Sequence, residues 1–105
     1  MTRDILSRQQ VVDRVTAREA DIRNLGVRRL ALFGSVLRDR ARPDSDVDFL
    51  VEFIPEARTF ARLLDLGELL ESLLGHRVEL VTTGALSPYI GPRILAEAED
   101  VLRAA

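Results

Sequence analysis

Apolar positions along the chain fall into blocks whose period alternates between helix and strand. From about Ile5 to Asn24, the residues Ile5, Val12, Val15 and Ile22 are spaced for one helical stripe, and Gly26 stands where a helix stops. VRRLALF, Val27 to Phe33, then reads as a strand that ends at Gly34-Ser35, with a short helical turn expected from Val36 to about Arg38. The loop RARPDS leads to a second strand from about Asp46 to Phe53, with Val47, Phe49, Val51 and Phe53 on one face and Pro55 helping to end it. Thr59 to Leu74 returns to the helical period through Leu63, Leu66, Leu70, Leu73 and Leu74, closed by Gly75. Arg77 to Thr82 reads as a third strand, TGALSPYIGP as a connection, and a last helix starts near Pro92 carrying Ile94, Leu95, Ala98, Val101 and Leu102. The predicted order is α-β-(turn)-β-α-β-α, an α/β (α+β) chain with a small mixed sheet flanked by helices. The sheet is expected to be mixed because the link between the first two strands is too short for a parallel crossover.

Composition narrows the functional classes. The chain has 105 residues, read as one domain over 1–105, with 47% hydrophobic and 30% charged residues. It has no cysteine, which excludes a disulfide framework, a thiolate metal site and a thiol nucleophile. The start, MTRDILSRQQ, lacks an apolar h-region, and no apolar run approaches a membrane span, so a cytoplasmic protein without a membrane partner is expected. All 15 basic residues are arginine. The absence of lysine excludes a Schiff base or a P-loop. Arginine suits bidentate phosphate recognition, although nucleotide bias in a genome explains the missing lysine equally well. The net charge of -2 and the lack of a basic stripe beyond Arg28 and Arg29 argue against direct nucleic-acid binding.

The chemistry concentrates in DSDVDFLVEF. Asp46 and Asp48 share one face at the entrance of a strand, where aspartate is disfavoured and like charges repel. One reading is a solvated polar face. The other is a divalent cation, because Mg²⁺ takes oxygen ligands and is commonly held by one or two carboxylates plus substrate phosphates. In RVELVT, Glu79 lies opposite Val78 and Leu80 in the alternation. If its strand neighbours the second with its apolar face toward the same core, Glu79 joins the carboxylates, enough to bracket two ions. One strand earlier, Phe33-Gly34-Ser35 forms a turn whose backbone N–H groups and Ser35 hydroxyl suit an anion.

Together, LFGSVLRDRARPDSDVDFLVEF resembles the Gly-Ser, spacer, Asp-x-Asp signature of the DNA polymerase β-like nucleotidyltransferases. The chain as a whole is similar to their minimal nucleotidyltransferase (MNT) branch. The resemblance implies Mg²⁺ on Asp46 and Asp48, a nucleoside triphosphate held near Gly34 and Ser35, and GHRVELVT as the strand of the third carboxylate. It also implies a partner, since MNT proteins are often antitoxins of helical HEPN ribonuclease toxins, and some transfer AMP from ATP to a toxin tyrosine. Within that chemistry Asp46, Asp48 and Glu79 are the expected metal and catalytic residues, with Glu79 or water as base. Gly34, Ser35 and Arg38 are the expected nucleotide contacts. Two positions depart from the family pattern: Glu79 replaces the usual aspartate, and Asp39 stands where glycine is frequent. Three readings therefore compete. They are a Mg²⁺-dependent adenylyltransferase acting on a toxin hydroxyl, a fold that neutralises its partner by binding alone, and a nucleotide-binding subunit whose acceptor specificity comes from a separate helical protein. His76 is read as a surface or strand-edge residue, and the exposed side of the last helix, or Tyr89 and Ile90 in the connection, as candidates for a partner surface.

Overall fold

VRRLALF forms the spine of the sheet. The computed structural model describes residues 5–38, 40–42, 44–82 and 91–102. Strand β1 (Val27–Phe33) pairs antiparallel with β2 (Val47–Phe53) on one side and with a two-residue strand, β4 (Glu99–Asp100), on the other. Strand β3 (Val78–Thr82) pairs parallel with β2 at the far edge, so the order is β3-β2-β1-β4 and the sheet is mixed, as the short link predicted. Val47, Phe49 and Val51 of β2 and Leu30 and Leu32 of β1 are fully buried on the core face.

Five helices surround this sheet among the described residues. The predicted first helix is in fact two, α1 (Arg8–Ala17) and α2 (Glu19–Asn24). Arg18 leaves the helical region between them with φ -120° and ψ 26°. Ser7 rather than the Ile5 region starts α1, through a capping box: its hydroxyl accepts from Gln10 N–H while the Gln10 side chain accepts from Ser7 N–H. Leu6 is buried and Ile5 exposed, which shifts the inward stripe by one residue. Helix α3 (Gly34–Leu37) is the expected turn and begins at the glycine. A 3₁₀ turn at Pro55–Ala57 precedes α4 (Phe60–Leu74), which Thr59 caps and a left-handed Gly75 ends. Leu66, Leu70 and Leu74 of α4 pack into the core with Val11 and Val15 of α1, and Arg14 donates to the Leu74 carbonyl at 3.1 Å.

The last predicted helix is corrected most. Helix α5 (Gly91–Glu97) is short, and the chain then extends along β1, where Val101 N–H donates to the Leu30 carbonyl at 2.9 Å. Val101 and Leu102 reach the core from this extended stretch and not from a helical face. Their spacing fits a helix, but the open edge of β1 offers backbone partners that local period does not report. His76 is buried, which corrects the surface reading, and it stands two residues before β3, a strand at the edge of the sheet, as the edge reading had it. Asp39, Tyr89 and Ile90 lie outside the described residues. Among the described residues no helix is long and apolar enough to cross a membrane.

Candidate active site

The register of three strands assembles the site. Phe33 on β1 is the Cα partner of Asp48 on β2, and Asp48 is the partner of Glu79 on β3. Directly paired residues share a sheet face, so Phe33, Asp48 and Glu79 form one row, with Asp46 two residues upstream on the same side. The juxtaposition of Glu79 with Asp48 that the alternation required is therefore present. Val47 N–H donates to the Arg77 carbonyl at 2.8 Å, which pins the start of β2 to the start of β3 between the two aspartates. The approach to Asp46 is closed by Arg42 N–H donating to the Ser45 hydroxyl at 2.8 Å and by Ser45 N–H donating to the Arg42 carbonyl at 3.0 Å.

Gly34 sits against this row. It adopts φ +78°, and a Cβ built there would lie 2.2 Å from Asp48 Oδ2 and 3.1 Å from Asp48 Cγ. Both the left-handed backbone and the close approach therefore demand glycine. The Gly34 carbonyl accepts from Arg38 N–H at 3.2 Å and the Ser35 carbonyl from Arg40 N–H at 2.8 Å, so the Gly-Ser turn is held by its own backbone.

The carboxylates crowd one another. Asp48 is pushed up from 3.8 to about 6, first by burial, then by the hydrogen bond its protonated form makes to Glu79, then by the negative charges of Glu79 and Asp46. None of the arginine ion pairs among the described residues involves Asp46, Asp48 or Glu79. Uncompensated anions in register are what a divalent cation would relieve. Among the described residues no three acidic or histidine side chains form a ready cluster for an ion. The three-carboxylate cluster expected for two ions is thus not formed among the described residues; Asp46 and Asp48 could hold a cation only together with ligands from outside the chain, as Mg²⁺ is held with phosphate oxygens.

Arg38 is placed near this turn but is already engaged. It forms an ion pair with Glu97 at the end of α5, and both side chains are partly exposed. Sequence reasoning did not find Glu97, since no local pattern links positions 59 residues apart. Phe33 was read as the end of the first strand and the start of the turn, and its place opposite Asp48 became visible with the β1–β2 register.

Comparison with known proteins agrees with this geometry. A family model described as nucleotidyltransferase domain matches residues 9–101. Protein adenylyltransferase MntA of Thermococcus cleftensis is 38% identical over 94 residues, 89% of this chain and 94% of that protein. A solved structure assigned to the minimal nucleotidyltransferases superposes with a TM-score of 0.70 at 38% identity, covering 84% of this chain and 93% of the other. A complex of tri-AMPylated Shewanella oneidensis HEPN toxin with its MNT antitoxin includes a chain that matches at TM-score 0.55 and 19% identity, over 83% of this chain and 71% of that one. At that identity the likeness speaks for the fold alone.

Proposed function

We infer the function from one premise: this chain belongs to the nucleotidyltransferase domain family, in its minimal branch. Its reaction is proposed to be transfer of AMP from ATP to a hydroxyl, with a tyrosine of a partner HEPN toxin as acceptor and antitoxin action as the outcome. The observation that carries this reading is the row of Asp48 and Glu79, with Gly34 packed against the Asp48 carboxylate. The names of the relatives support it: an adenylyltransferase at 38% identity, and an AMPylated toxin held by an antitoxin of the same fold.

In this reading Asp46 and Asp48 hold Mg²⁺, with Glu79 beside them. The metal would neutralise the triphosphate and the leaving pyrophosphate and acidify the attacking hydroxyl. The chain's own residues do the rest. The Gly34-Ser35 turn receives phosphate oxygens, because glycine lets the backbone approach and Ser35 adds a donor. The acceptor oxygen bonds to the α-phosphorus, the bond from that phosphorus to the bridging oxygen breaks, and pyrophosphate leaves. The hydroxyl proton passes to Glu79 or to water. Glu79 is exposed, so an acceptor on a second protein reaches it from solvent.

The test is label transfer. Purified protein is incubated with α-labelled ATP, Mg²⁺ and lysate from its source, beside an Asp46→Asn/Asp48→Asn control shown to be folded. A labelled band with wild type only is the expected result, and its mass identifies the acceptor. The second reading, neutralisation by binding alone, is favoured by one observation, the engagement of Arg38 by Glu97. Partner capture without a labelled band would establish it in place of the first.

A further inference from the structure

Helix α4 carries more apolar surface than its core contacts use. Leu66, Leu70 and Leu74 are buried, yet Phe60 is 74% exposed and Leu64 52% exposed. Phe60, Leu64 and Gly67 follow one another at four and three residues, so they form a second stripe beside the buried one. This stripe borders a groove between α4 and β3 made of two cavities that share Leu63. One, of about 270 Å³, is lined by Leu64, Gly67, Glu68, Val78 and Leu80 among others. The other, of about 250 Å³, is lined by Phe53, Arg58, Phe60 and Thr82.

Gly67 is the informative position. Glycine inside a helix costs roughly 0.5–1 kcal/mol relative to alanine. Among the described residues a Cβ at Gly67 would meet only Leu80 Cδ1, at 3.7 Å, which is ordinary contact. Among the described residues nothing therefore requires the missing side chain. Its effect is a hole in the outer stripe, about 10 Å along the helix from the protruding Phe60.

We propose that the α4–β3 groove is the contact face of a symmetric homodimer, in which two α4 helices pack antiparallel and Phe60 of each copy enters the hole over Gly67 of the other. A two-fold axis midway between Leu63 and Leu64 makes this match in both directions at once, as an isologous interface requires. Charge follows the same axis. Arg58 lies at the Phe60 end of the groove and Glu68 and Glu71 at the Gly67 end, so each cation meets acidic groups of the second copy. Continuation of the sheet through β3 is disfavoured, because Glu71 Oε2 already accepts from Val78 N–H at 3.0 Å and covers that edge donor.

The test is sedimentation of the full chain over a range of concentrations. The expected result is reversible association between 11.8 kDa and twice that mass. Phe60→Ala removes both anchors together and weakens association by at least about a hundredfold. Arg58→Glu weakens it, and Arg58→Glu combined with Glu68→Arg restores it, which a face for an unrelated protein would not do. Gly67→Ala raises the melting temperature while weakening association. Because all these positions lie on the groove surface, circular dichroism verifies that each variant folds. A wild-type chain that stays monomeric at every concentration, or a dimer indifferent to Phe60→Ala, overturns the proposal. In the first case the stripe belongs to a different protein.

Discussion

Gly34 and Gly67 mark two regions that use the same residue for opposite reasons. At the β1–α3 turn a side chain is forbidden from within: the backbone is left-handed and Asp48 Oδ2 lies 2.2 Å from where a Cβ would be. In the middle of α4 the backbone is ordinary and a Cβ has room at 3.7 Å. The first glycine serves the chain's own geometry, because it lets the Asp48 carboxylate stand against the turn. The second is a cost to the isolated fold, and no close contact among the described residues accounts for it. A glycine therefore points to a site only after asking what a methyl group there would strike.

The contrast can be broken at several points. Asp48→Asn keeps the size of the side chain and removes its charge, so AMP transfer in the label assay falls by at least about a hundredfold while the melting temperature does not drop. Gly34→Ala forces a left-handed alanine into Asp48 and destabilises the fold by about 1–3 kcal/mol, read by denaturant titration, with loss of transfer as well. The pH dependence of the metal-free protein follows from Asp48. Its folded value, about 6, lies above the ordinary 3.8, so the folded state holds a proton that the unfolded state releases between them. Stability from this group is fully present below 3.8 and is lost as pH rises through about 6. Thermal melts in chelator should therefore fall over that window, Asp48→Asn should flatten the fall, and Mg²⁺ at neutral pH should reverse it. Glu99, held below its usual value by Arg8, acts with opposite sign but at the surface, where solvent weakens it.

On the other side of the contrast, Gly67→Ala stabilises the monomer by about 0.8–1 kcal/mol, measured at concentrations where the chain is dissociated. Ala at both positions would thus move stability in opposite directions. The smallest effect is at the rim. Glu97→Gln frees Arg38 from an exposed pair worth about 0–1 kcal/mol, so nucleotide affinity by calorimetry rises by no more than about fivefold, with stability nearly unchanged.

Much of this fold was legible because its signals are local. β1 begins and ends where VRRLALF predicts, and α4 runs from the Thr59 cap to Gly75 as its leucine period and stop signals indicate. The acidic row was legible through alternation alone, since Asp46, Asp48 and Glu79 each oppose apolar neighbours that the core claims. What local pattern could not carry is pairing across long separations. Val101 and Leu102 keep a helical spacing with Ile94 and Ala98, but they are drawn to the free edge of β1. The break at Arg18 has no glycine or proline to announce it. The engagement of Arg38 by Glu97 depends on where α5 ends, which the sequence placed too late.

The short strand β4 has a consequence for the order of events during synthesis. Its bonds join residues made far apart in time: Arg29 to Asp100 across 71 positions, and Arg8 to Glu99 across 91. The loop closed in this way contains every residue of the acidic row. Contacts of such range are costly in chain entropy and slow to form. A chain still emerging from the ribosome therefore holds its carboxylates on an unfinished sheet. The sheet is completed only when β4 closes this loop onto β1.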